Sequence, residues 1–222
     1  MKRYRIKKIV ALLLIMALTI SGGIEAKAGT DNVIYLLGIH DFDGTTDLGH
    51  GNFCRWLAES GKSYRKKDST AKIVKRHYSK STTALNIMRK YNYLMIITHG
   101  AEDRIALYDN NGRKTRLYAD RIRNDGNYIY GQLKVCHIMA CQAADVARAI
   151  SERGAKVTIG YRERVTLPAG TTMMEQFNVF FASGQSVVAA LSNARACAIS
   201  KDGPDYGLNS CVIYGDGQRR YN

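Results

Sequence analysis

Short runs of consecutive apolar residues alternate along this chain with segments whose apolar positions recur three and four residues apart. The runs at 33–39, 93–98, 133–140, 156–160 and 211–214 lie between polar loops and are too short for core helices. They read as strands buried on both faces, and a weaker run at 71–77 reads the same way. Helical spacing links Leu85 and Met88 behind the capping candidates Ser81 and Thr82. It also links Ala143, Val146, Ala147 and Ile150 before a stop at Gly154. Met173, Phe177, Phe180 and Phe181 make a third stripe ending near Gly184, and Val187, Ala190, Leu191 and Ala194 a fourth behind Ser186. These stripes read as core faces. Residues 104–117, with Asp109-Asn110-Asn111-Gly112 at their middle, read as a hairpin inserted after the third strand. Strands alternating with helices predict an α/β fold, a three-layer α/β/α sandwich around a mainly parallel sheet.

The N-terminal segment has a different pattern. Lys2, Arg3, Arg5, Lys7 and Lys8 precede an apolar run at 9–20, then small residues and Ala26-Lys27-Ala28. That order predicts a secretory signal peptide over residues 1–28, cleaved after Ala28, and a secreted, extracellular product. The run falls short of the roughly 20 apolar residues of a membrane span, and no later run is longer, so no transmembrane span is expected after cleavage. Residues 31–222 are expected to form one domain, because 222 residues with 45% hydrophobic content bury one core of ordinary size. Cleavage removes six bases and one acid, lowering the formal charge from +14 to +9.

Export permits disulfides, but the five cysteines, Cys54, Cys136, Cys141, Cys197 and Cys211, leave at least one thiol without an internal partner. No C-x-x-C pair offers a zinc site, and His40, His50 and His77 lack ligand partners at metal spacing. Asp41-Phe42-Asp43-Gly44 opens like a calcium loop but carries Asn52 where the closing Glu belongs. Neither a metal nor another cofactor is expected.

In a parallel sheet, reactive groups gather at the carboxyl ends of the strands. Here the third strand runs into His99-Gly100 and the fourth into Ala140-Cys141-Gln142. A thiol attacks as its thiolate, which an imidazole on the neighbouring loop would generate. The positive end of the helix starting near Ala143 favours the same thiolate. The Gly100 and Cys141 amides are the candidate oxyanion donors. His137 and Cys136 lie inside the fourth strand and read as packed core groups instead.

A hydrophobic run ending in His-Gly, with a later one ending in Ala-Cys, resembles the signature of the caspase-fold cysteine peptidases, which include caspases, gingipains, clostripain-like enzymes and CHAT domains. The segments at 143–150 and 154–160 are similar to the helix and strand after the nucleophile in CHAT and gingipain-like domains. Residues 177–194 are similar to their next helix pair, and 213–217 to their closing strand and turn. The resemblance spans nearly all of the mature chain. It implies a caspase-like sheet and a cysteine endopeptidase acting on proteins or peptides, with Cys141 as nucleophile and His99 as proton carrier. In gingipain-like enzymes an acid upstream of the catalytic His helps to form a pocket for a basic side chain. Carried over, this implies cleavage after Arg or Lys, with Asp41, Asp43 and Asp47 after the first strand as pocket candidates and Glu163 after the fifth as another. Two features oppose the transfer: Met139 stands where clostripain-like relatives place an Asp, and Arg162 and Arg164 flank Glu163.

The basic runs at 62–67 and 113–116 read as solvated faces with tyrosines interleaved. For an exported protein their expected partner is an anionic cell-wall polymer or lipid surface rather than nucleic acid. The alternative to an enzyme is thus a non-catalytic caspase-fold binding protein held to such a surface. No G-x-S-x-G, P-loop or dinucleotide motif competes for the chemistry.

Overall fold

A parallel ladder organises the chain. The computed structural model describes residues 32–38, 50–77, 79–109, 111, 113–126 and 129–221. Strands β1 (Val33–Gly38), β2 (Lys72–Arg76) and β3 (Tyr93–Ile97) precede an inserted antiparallel sheet of β4 (Gly100–Ala101), β5 (Arg104–Tyr108) and β6 (Lys114–Tyr118). β7 (Val135–Met139), β8 (Val157–Tyr161) and β9 (Cys211–Gly215) complete the main sheet, in the order β2-β1-β3-β7-β8-β9. Every pairing in that sheet is parallel except β8 with β9. The expected α/β architecture and the inserted hairpin are both present.

The helices are α1 (His50–Lys67), α2 (Ser81–Lys90), α3 (Ala119–Arg123), α4 (Ala144–Glu152), α5 (Leu167–Ala182), α6 (Val187–Asp202) and α7 (Tyr206–Asn209). Ser186 caps α6 by accepting from the Ala189 amide at 3.3 Å, and Gly184, with φ +97°, ends α5. Ser81 and Thr82 do not cap α2; Lys80 holds the N-cap position, without a side-chain bond. α1 was hidden by its polar composition. Its buried positions Trp56, Leu57, Ser60 and Tyr64 recur at helical spacing, and the basic run at 62–67 forms its exposed end. A buried network fastens α1 to α5, with Tyr64 Oη donating to Asn178 at 2.6 Å and Asn178 Nδ2 donating to Ser60 at 3.1 Å.

Strand alternation divides the interior into two apolar layers. Tyr93, Met95, Ile97, Val135 and Met139 face a core shared with α1, α5 and α6. Leu94, Ile96, Cys136 and Ile138 face the other core, with α2 and α4. This period of two fixes where the strand ends aim their side chains. β2, at the sheet's edge, carries exposed Lys72, Lys75 and Arg76, charges that discourage pairing with another strand.

His137 sits fully buried in the first core, 2.9 Å from Tyr161 Oη, with Phe177 edge-on at a 4.7 Å centroid distance. Burial disfavours the imidazolium and pushes its pKa from 6.5 down to about 3. The unfolded chain therefore binds the extra proton first, so stability is expected to fall as pH drops below about 6.5, by up to about 1.4 kcal/mol per unit. Urea unfolding across that range checks it: His137→Phe should flatten the slope, and an unaltered slope would exclude His137 as its source.

Candidate active site

The register of the β3–β7 ladder brings the strand ends before His99 and Cys141 level. Ile97 pairs with Met139 on the last rung, and the Thr98 amide donates to the Met139 carbonyl at 3.1 Å just beyond it. His99 and Cys141 each stand two residues past that rung, in phase with Ile97 and Met139, and so on the α5 face of the sheet. Both are half-buried and line one cavity of about 370 Å³, together with Met139, Val165, Leu167 and Gly170.

Each loop is held by a different neighbour. The His99 carbonyl accepts from the Ala106 amide at 2.9 Å, and Thr98 Oγ1 donates to the Ala106 carbonyl, so β5 braces the histidine loop. Gly100 presses against the loop that carries Cys141: a Cβ there would overlap the Cys141 carbonyl and lie 3.0 Å from the Ala140 Cβ. Only glycine permits this approach. On the other side of Cys141, Gln142 adopts φ 53°, the left-handed region, and its amide donates to the Glu163 carbonyl at 3.1 Å. The Cys141 thiol lies against the same loop, 3.6 Å from the Val165 carbonyl and 3.5 Å from the Val165 amide.

Cys136, five residues before Cys141, has no access to this cavity. It is fully buried in the opposite core, and burial pushes its thiol pKa well up. His137 is likewise packed away, as its place in the strand implies. Cys136, Cys141, Cys197 and Cys211 are all free thiols.

The pocket candidates divide. Asp41, Asp43 and Asp47 lie outside the described residues. Glu163 is exposed and contributes its backbone to the loop, while its side chain is absent from the cavity lining. Among the described residues no carboxylate lines the cavity, whose wall is mainly aliphatic.

Asp205 was not foreseen from the sequence, and it organises the loop that carries Val165. One carboxylate oxygen accepts from the Thr166 amide at 2.8 Å and the Thr166 hydroxyl at 2.6 Å; the other accepts from the Gly207 amide at 2.7 Å. Gly207 packs so closely that a Cβ would overlap the Arg164 carbonyl. Asp205→Ala removes all three bonds and is expected to cost about 2–3 kcal/mol of stability. Urea unfolding would register the loss, and faster hydrogen exchange at the Thr166 amide would place it in this loop; unchanged exchange there would contradict the role.

No family model and no curated protein sequence matches the chain. Solved structures do. The crystal structure of the Arg-specific cysteine proteinase gingipain R superposes with a TM-score of 0.56 at 12% identity, covering 84% of this chain and 46% of that one. The complex of the pro- and mature domains of Porphyromonas gingivalis RgpB gives 0.55 at 13% identity, covering 85% and 48%. Separase, in the Saccharomyces cerevisiae separase–securin complex, gives 0.50 at 17% identity, covering 83% of this chain and 12% of its own. The chain therefore spans under half the length of any of these three. In topology, and along most of its length, it has the α/β fold of the caspase-like cysteine peptidases.

Proposed function

We propose that the chain is a secreted cysteine endopeptidase working through a Cys141–His99 dyad. The observation that carries this reading is the shared rung: two neighbouring parallel strands end level, and one cavity is lined by both the thiol and the imidazole. In the reaction His99 accepts the thiol proton while Cys141 Sγ bonds to the substrate carbonyl carbon. The resulting oxyanion takes hydrogen bonds from the Gly100 and Cys141 amides. His99 then returns the proton to the leaving amine as the C–N bond breaks, giving a thioester that water hydrolyses. No cofactor takes part in these steps. The signal-like leader, with cleavage after Ala28, supports an activity exerted outside the cell.

A peptidyl electrophile tests the dyad. It is expected to modify Cys141 covalently, to fail with Cys141→Ala, to react at least tenfold more slowly with His99→Ala, and to be unaffected by Cys136→Ala. Equal loss in the Cys136 and Cys141 variants would sink the assignment.

A second reading rests on a basic face. Lys62, Arg65 and Lys66 are exposed on α1, and Lys75 of β2, also exposed, lies across Gly61 of that helix. Such a face suits an anionic cell-wall polymer or lipid. Salt-sensitive polymer binding without any electrophile labelling would favour a non-catalytic binding protein.

The cavity bears on specificity. A buried guanidinium or ammonium without a carboxylate costs several kcal/mol, and the described lining offers none. The aliphatic wall of Ile97, Met139, Val165 and Leu167 supports an uncharged side chain before the scissile bond, in place of the Arg or Lys that the resemblance implies. Matched Leu, Met, Arg, Lys and Asp peptides decide this, with Leu or Met expected to be cleaved about tenfold faster than Arg. An Arg or Lys preference abolished by Asp41→Ala, Asp43→Ala or Asp47→Ala would instead assign the pocket carboxylate to that loop.

A further inference from the structure

A second cleft, of about 180 Å³, opens on the other side of His99 and is lined by His99, Gly100, Arg104, Ala106, Lys114 and Arg116. Its cations come from one face of the β5–β6 hairpin, because Arg104 pairs with Tyr118, Ala106 with Arg116 and Tyr108 with Lys114. The two outer rungs each match a cation to an aromatic ring: Arg104 lies 5.7 Å from the Tyr118 centroid, and Lys114 Nζ 5.9 Å from that of Tyr108. Arg104 is also paired with Asp103 at 2.8 Å.

The middle rung differs. Arg116 pairs with Ala106, which has no ring or charge to offer it, and Arg116 makes no ion pair or ring contact among the described residues. Arg89, Arg104, Arg123 and Arg148 all have acidic partners. The cleft thus presents an unmatched guanidinium between two braced cations, and among the described residues no carboxylate lines it.

We propose that this cleft binds a carboxylate of the segment that leaves after the scissile bond, within its first two residues. The proposal rests on the peptidase reading above. His99 lines both the cavity with Cys141 and this cleft. The acyl side chain occupies the cavity, and the amine protonated by His99 departs on the opposite side, so the leaving segment runs over the hairpin. A guanidinium there recognises a carboxylate by charge and by paired N–H donors. That carboxylate belongs either to an Asp or Glu side chain or to a free chain end.

Peptides with one common acyl sequence, amidated at their C-termini, and bearing Asp, Asn or Lys second after the scissile bond provide the test. An aminocoumarin substrate ending at that bond serves as the reference. The Asp peptide is expected to exceed the Lys peptide about tenfold in kcat/KM, with the ratio shrinking at about 0.5 M salt. Arg116→Glu is expected to reverse the order. A Lys peptide with a free C-terminal carboxylate distinguishes the sources: acceleration of that peptide with no effect of the Asp side chain assigns the carboxylate to the chain end. Equal rates for all peptides, or a preference unmoved by Arg116→Glu, overturn the cleft's role while aminocoumarin turnover upholds the peptidase. Absence of aminocoumarin turnover overturns both.

Discussion

Everything at the candidate site depends on the register of one parallel strand pair. Because Ile97 and Met139 share a rung, the chain leaves β3 and β7 at the same height and in the same phase of the pleat. A one-residue slip of either strand would turn its candidate side chain, His99 or Cys141, to the opposite face. The apolar alternation opposes such a slip, since it would exchange the Met95 and Ile97 face with that of Leu94 and Ile96, and each set is fitted to a different core. Stability of the two cores and placement of the thiol and imidazole are therefore the same constraint.

Beyond the ladder, the positioning passes to loops. A Thr98–Met139 bond extends β3 and β7 by one step, and Gly100 then brings the two backbones into contact. The hairpin, though outside the main sheet, holds the His99 carbonyl through Ala106. On the far side, Gln142 and Val165 tie the cysteine loop to the segment after β8, which Asp205 fixes in turn. Residues 98–100 and 163–165 thus converge on the loop that carries Cys141. Loops of this kind hold reactive groups more firmly than their lack of regular structure suggests, because their backbone groups are paired.

The strand ends were legible because a buried parallel strand is written as an uninterrupted apolar run that stops where the strand does. His99 and Cys141 were singled out as candidates by that stop, and both line one cavity. α1 was not, since Gly61, Ser63 and a string of bases interrupt its apolar stripe and leave Trp56, Leu57 and Tyr64 as its large buried side chains among the described residues. Asp205 was invisible for another reason: its partner Thr166 lies 39 residues away, and no local pattern marks such a contact. The matched rungs of β5 and β6 needed the register itself, because the sequence displays Arg104, Lys114 and Arg116 only as charges near a turn.

The same strand pair also explains why neighbouring residues of identical type have different prospects. Cys136 and Cys141 lie five positions apart, and His137 stands between them. Inside the ladder, burial favours the neutral thiol of Cys136 and the neutral imidazole of His137, so both are chemically silenced by the core that uses them as packing. Cys211 on β9 is raised to about 12, burial again being the main cause. Cys141 stands beyond the end of the strand, where its thiol meets backbone groups of Val165 and a cavity rather than a closed layer of side chains. Candidate nucleophile and core thiol are thus separated by where the ladder stops, and the cavity beside Cys141 and His99 is walled in part by Ile97 and Met139, the last apolar residues of the strands that carry them.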